Sequence, residues 1–107
     1  INEIICYMGL CKENLGRRRE AMEDYSTFID NLMKMKNNNR LLYVSALRPL
    51  AILYIAENNI MKAEEAIRRA EEYFKEVNAP NNAWADDTLL RIKSKLSELA
   101  NQSKRKL

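Results

Sequence analysis

The side chains in this chain best suited to chemistry are two thiols, Cys6 and Cys11, and two pairs of adjacent carboxylates, Glu71-Glu72 and Asp86-Asp87. On one helix the thiols stand roughly 140° apart around the axis, so they cannot bond to each other. They read as buried, reduced thiols, which fits a reducing compartment and a cytoplasmic location. A general base or a metal ligand would most often be histidine, and the chain has none. Two Cys without His make no zinc site. Neighbouring carboxylates on a helix point about 100° apart, so both acidic pairs read as solvated charges. Arg17-Arg18-Arg19 reads as a solvated turn, with a phosphate or acidic-partner contact as the alternative. Lys104-Arg105-Lys106 reads as a frayed polar end more than as a nucleic-acid patch. These residues give no catalytic constellation, no cofactor and no metal, and the expectation is that the chain is not an enzyme.

Something other than chemistry must therefore organise the sequence. At 107 residues the chain makes one compact unit, and 47% hydrophobic residues suffice for its core. Two Gly and two Pro favour helix over a turn-rich β fold. The net charge of +3, from 18 basic and 15 acidic residues, describes a solvated surface and disfavours nucleic acid as a partner. No apolar run approaches the roughly 20 residues of a membrane span, and no signal peptide is visible. The chain begins at Ile1, so it reads as a piece of a longer protein or a trimmed chain.

The apolar pattern predicts five helices and no strand. The first covers residues 1–15 on Ile1, Ile4, Ile5, Met8, Cys11 and Leu15, and Gly16 suits the left-handed position that ends it. The second covers 18–36 with a stripe of Ala21, Tyr25, Phe28, Leu32 and Met35, and Asn37-Asn38-Asn39 breaks it. The third covers 40–57 and contains Pro49. Its apolar pattern already runs through residues 41–47, which favours one helix kinked at Pro49 over a helix that starts there. The fourth covers 60–77 with Ala63, Ile67, Ala70, Phe74 and Val77; the fifth covers 83–100 with Trp84, Thr88, Leu89, Ile92, Leu96 and Leu99. Residues 101–107 read as a frayed basic tail.

These helices repeat. A shift of 42 residues carries Ile5 to Leu47 to Leu89 and Met8 to Leu50 to Ile92; the same shift carries Gly16 to Asn58, Ala21 to Ala63, and Leu32 to Phe74. A fixed period with matched residue character is the mark of stacked helical repeats. The first unit reads Ile5, Met8-Gly9, Lys12, then Ala21 and Tyr25; the second reads Leu47, Leu50-Ala51, Tyr54, then Ala63, Ile67 and Ala70. On these residues the chain resembles the tetratricopeptide repeat family, whose helix pairs approach closely at such small residues. The period resembles the longer variety found in kinesin light chains and many bacterial regulators. The third unit departs from the pattern with Lys93 at the small position, as a terminal capping helix with a solvated outer face would.

The resemblance implies an all-α, right-handed superhelix of antiparallel helix hairpins over residues 1–100: repeat 1 at 1–36, repeat 2 at 40–77 and a capping helix at 83–100. It also implies a partner-binding concave face on the first helix of each hairpin. Carried over, that face is Glu3, Cys6, Leu10 and Glu13, then Ser45, Arg48, Ile52 and Ile55, then Asp87, Leu90, Ser94 and Ser97. Cys6, Leu10, Glu13, Arg48, Ile52, Ile55 and Leu90 are the expected partner contacts. With Arg48 as its only cation, this face does not resemble the paired Lys and Asn that hold a C-terminal carboxylate in chaperone-binding members. Its apolar strip suits a peptide or a partner helix, or else a neighbouring domain of the parent protein. The uncapped first helix, apolar at Ile1, Ile4 and Ile5, suggests either further repeats upstream or a homo-oligomer contact. The expected function is protein–protein interaction. A sensory or regulatory module in a bacterial transcription regulator or signalling kinase is the alternative, and an RNA-binding helical repeat the weaker one.

Overall fold

The computed structural model describes the backbone of residues 16–105 and the side chains as far as Gln102. The expected first helix, with Cys6, Gly9, Leu10, Cys11, Glu13 and its proposed dimer face, lies outside the described residues. Within them the chain is all-helical, with no strand: α1 (Arg18–Lys34), α2 (Arg40–Ala56), α3 (Ile60–Glu76) and α4 (Ala83–Arg105). No described helix is long and apolar enough to cross a membrane.

The first three of these helices end in the same way. After α1 the amide of Lys36 donates to the Met33 carbonyl and that of Asn37 to the Leu32 carbonyl. Asn58 and Asn59 repeat this on Ile55 and Tyr54, and Asn78 and Ala79 on Lys75 and Phe74. Each set is a Schellman closure, which satisfies carbonyls that the helix end would orphan and requires a left-handed residue. Lys36 (φ 51°), Asn58 (φ 60°) and Asn78 (φ 52°) fill that position. Gly16 has φ 80° just before α1. Gly16 and Asn58 are 42 residues apart, and so are Lys36 and Asn78, so the backbone reversals recur at the period of the sequence.

Asparagines also start the helices. The side-chain oxygens of Asn39, Asn59 and Asn82 accept from the amides of Leu42 (3.1 Å), Lys62 (3.3 Å) and Ala85 (3.0 Å). The asparagine run therefore does more than break a helix, because Asn39 caps the next one. Pro49 lies inside a continuous α2. Its missing N–H leaves the Ser45 carbonyl without its usual helical donor, and Ser45 is exposed, so solvent can satisfy it. The end of the chain differs from expectation. α4 continues to Arg105 in place of a frayed tail from Asn101, because no Gly or Pro interrupts it.

Contacts between the helices set the topology. Arg18 at the start of α1 pairs with Glu57 just after α2 (3.7 Å), so these helices run antiparallel. α2 is central and packs against α1, α3 and α4, and α3 also packs on α4. That position explains the unbroken apolar run at its start, because Tyr43 and Val44 are buried and Leu42 is partly buried. Burial follows the 42-residue shift: Ala21 and Ala63, Tyr25 and Ile67, Phe28 and Ala70, Leu32 and Phe74, Leu47 and Leu89, and Leu50 and Ile92 are all buried pairs. Ala21, Ala51 and Ala63 are fully buried where helices meet. Ala63→Leu is expected to overpack this contact and lower stability by roughly 1–3 kcal/mol, measured by thermal or urea unfolding. Lys93 is exposed and pairs with Glu71 across the α3–α4 seam (3.0 Å), where no further helix packs among the described residues.

The α1–α2 and α3–α4 turns are tied back to the bundle by two side chains. The Tyr73 hydroxyl donates to the Asn37 carbonyl (2.8 Å), while its ring stacks on Tyr43 at 5.6 Å. The Arg40 guanidinium donates to Asp86 (2.7 Å) and to the Ala79 carbonyl (2.9 Å) and lies 4.8 Å from the centre of the Phe74 ring. Because Arg40 opens α2 and Asp86 sits in the first turn of α4, these two helices start side by side and run in the same direction.

Candidate functional site: the groove between α2 and α4

Two helices that run side by side leave a groove wherever their flanking side chains do not meet. The groove between α2 and α4 has a volume of about 510 Å³. One wall is Arg48, Ile52 and Ile55 of α2; the other is Trp84, Asp87, Thr88, Arg91, Ile92 and Lys95 of α4. The spacing of three and four along each wall is the repeat of one helix flank. Ile52 is 43% exposed and Trp84 46%, large apolar groups presented to solvent within one depression. Arg91 donates to Asp87 one turn earlier (2.8 Å). Arg48 and Lys95 have no ion-pair partner among the described residues.

Three of the expected contact residues, Arg48, Ile52 and Ile55, therefore lie together. Leu90 does not join them. It is 63% exposed and lines a separate depression between α3 and α4, beside Phe74, Leu89 and Lys93. The reason is geometric. A 42-residue shift from Arg48 and Ile52 gives Leu90 and Ser94, but the groove uses Arg91 and Lys95, one residue on and about 100° around α4. Adjacent parallel helices meet through opposite flanks, so equivalent positions cannot both line the groove between them. The same turn brings in Arg91 and Lys95, so the surface carries three cations where the sequence suggested Arg48 alone.

The acidic pairs are not merely solvated. Asp86 serves Arg40, Asp87 serves Arg91, and Glu71 serves Lys93. Arg17 pairs with Glu20 (3.6 Å) and Arg18 with Glu57, so two of the three turn arginines are engaged in ion pairs. Among the described residues no group of three or more His, Cys, Asp or Glu could hold a metal ion.

A smaller crevice of about 170 Å³ lies between α1, α2 and α3, lined in part by Ser26, Tyr43, Tyr54, Lys62, Glu65 and Arg69. Burial pushes the Tyr43 phenol up to about 12; the Arg69 cation offsets part of this and Asp30 adds to it. Burial likewise raises Tyr54. The Tyr43 hydroxyl lies 3.8 Å from the Met33 sulfur, and Arg69 is held by Asp30 (3.3 Å), so the crevice is occupied with its own contacts. No family model, no curated protein and no solved structure matches this chain.

Proposed function

We propose that this chain is a tetratricopeptide-like interaction module that binds a segment of a protein partner in the α2–α4 groove without catalysing a reaction. The observation that carries this reading is the groove itself: exposed Ile52 and Trp84 face one depression between two capped helices. Large apolar groups gathered in one depression are the mark of a surface that a partner covers. The recurrence at 42 residues of left-handed turns, Gly16 with Asn58 and Lys36 with Asn78, and of the buried Ala21 with Ala63 supports the stacked-repeat scaffold. The absence of His from the sequence supports a role in binding rather than catalysis.

Ile52→Asp tests it. The aspartate removes apolar contact and places an unpaired charge at the interface, so partner capture from native cell extract should weaken roughly tenfold or more. Met61→Asp, on the exposed side of α3, should leave capture unchanged. Both variants are checked for folding by circular dichroism. Retention of every wild-type partner by folded Ile52→Asp would move the binding site elsewhere, with the Arg17–Arg19 turn next in line.

A further inference from the structure

The groove is charged as well as apolar, and its charge specifies its occupant. Among the described residues, Arg48, Arg91 and Lys95 face it against one carboxylate, Asp87, a net charge of +2 (3 − 1). Asp87 already neutralises Arg91, which leaves Arg48 on one wall and Lys95 on the other free to engage a ligand. Arg48 sits one helical turn, roughly 5 Å, from the exposed Ile52. An extended peptide advances about 3.3 Å per residue, so one turn matches two residues of bound chain. Resting on the interaction reading above, we infer that the partner segment is acidic and apolar together: carboxylates one to three residues from a large aliphatic or aromatic side chain. Apolar side chains of the segment pack along the groove on Trp84, Ile52 and Ile55, and its carboxylates pair with Arg48 and Lys95. A basic segment would meet repulsion from both walls. A purely apolar one would bury two cations without partners, which costs free energy. A single-stranded nucleic acid could use the cations and stack on Trp84, but it would leave Ile52 and Ile55 against phosphate and sugar.

Trp84 is the single tryptophan of the chain, so its intrinsic fluorescence reads the groove directly. The probes are three pools of acetylated, amidated nonapeptides with Leu, Ile, Met or Phe at alternate positions. Asp and Glu fill the remaining positions in the first pool, Asn and Gln in the second, Lys and Arg in the third; oligouridine is a fourth probe. The acidic pool should change Trp84 emission saturably and bind roughly tenfold more tightly than the neutral pool at about 50 mM salt. That advantage should shrink as salt rises. The double variant Arg48→Glu/Lys95→Glu should abolish the preference, while Lys34→Glu on α1 should keep it. Equal binding of neutral and acidic pools at every salt concentration overturns the acidic class and leaves the groove as a binding site. No response from any peptide pool, or a response that survives Ile52→Asp, overturns the groove reading together with it. Tighter binding of oligouridine than of the acidic pool reassigns the groove to RNA.

Discussion

Arg40→Ala is expected to lower stability by roughly 2–3 kcal/mol, a fall in Tm of about 10 °C or more in a domain of this size. The side chain donates to Asp86 and to the Ala79 carbonyl and covers one face of Phe74. Hydrogen bonds from a charged donor contribute roughly 1.5–3 kcal/mol each, and the cation–π contact roughly 0.5–1 kcal/mol. Asp86 is partly exposed, so solvent screening puts the ion pair at the low end. The guanidinium Nε is buried without a partner, and its removal returns a little of the loss. Arg40→Lys keeps the charge but loses the two-pronged geometry, and it should recover less than half of the deficit. Thermal unfolding of the three proteins decides this. An unchanged Tm for Arg40→Ala would mean that α4 is not anchored to α2 at this corner.

The second large effect is alkaline. The Tyr43 phenol ionises near 12 in the folded chain and near 10 when unfolded. Its folded value is raised, so its contribution is fully present below about pH 10, falls as pH rises from there, and is lost by about pH 12. Over that window the unfolded state releases the proton first, and stability should drop by roughly 2–3 kcal/mol. Tyr43→Phe removes the titrating group and should flatten this part of the pH profile, leaving the slope due to other groups. Urea midpoints at pH 9, 10, 11 and 12 for both proteins measure the difference. Parallel profiles would show that the Tyr43 hydroxyl is accessible to solvent.

The helices and their core could be read from the sequence because both rest on local rules. Apolar residues at three and four residue spacing had to face a core, and the 42-residue recurrence located Ala21, Ala51 and Ala63 at close contacts. What could not be read depends on which flank of one helix meets which flank of another. Leu90 was assigned to the groove by equivalence with Arg48, and the rotation between facing flanks moved it out and brought in Arg91 and Lys95. Arg40 carried no signal either. An arginine at the start of a helix looks like a solvated charge until Ala79, Phe74 and Asp86 are brought to it from about 40 residues away. The asparagine caps were partly legible, since Asn39 and Asn59 each stand immediately before a predicted helix, where an N-cap belongs.

The most direct test of the α2–α4 groove as the interaction site is site-specific photo-crosslinking. Benzoylphenylalanine replaces Ile52, Trp84 or, as a control on α3, Met61, and each protein is irradiated in native cell extract. Groove binding predicts that the same protein species crosslinks from positions 52 and 84 and not from 61. Crosslinking from position 61 alone, or from none of the three, would contradict it.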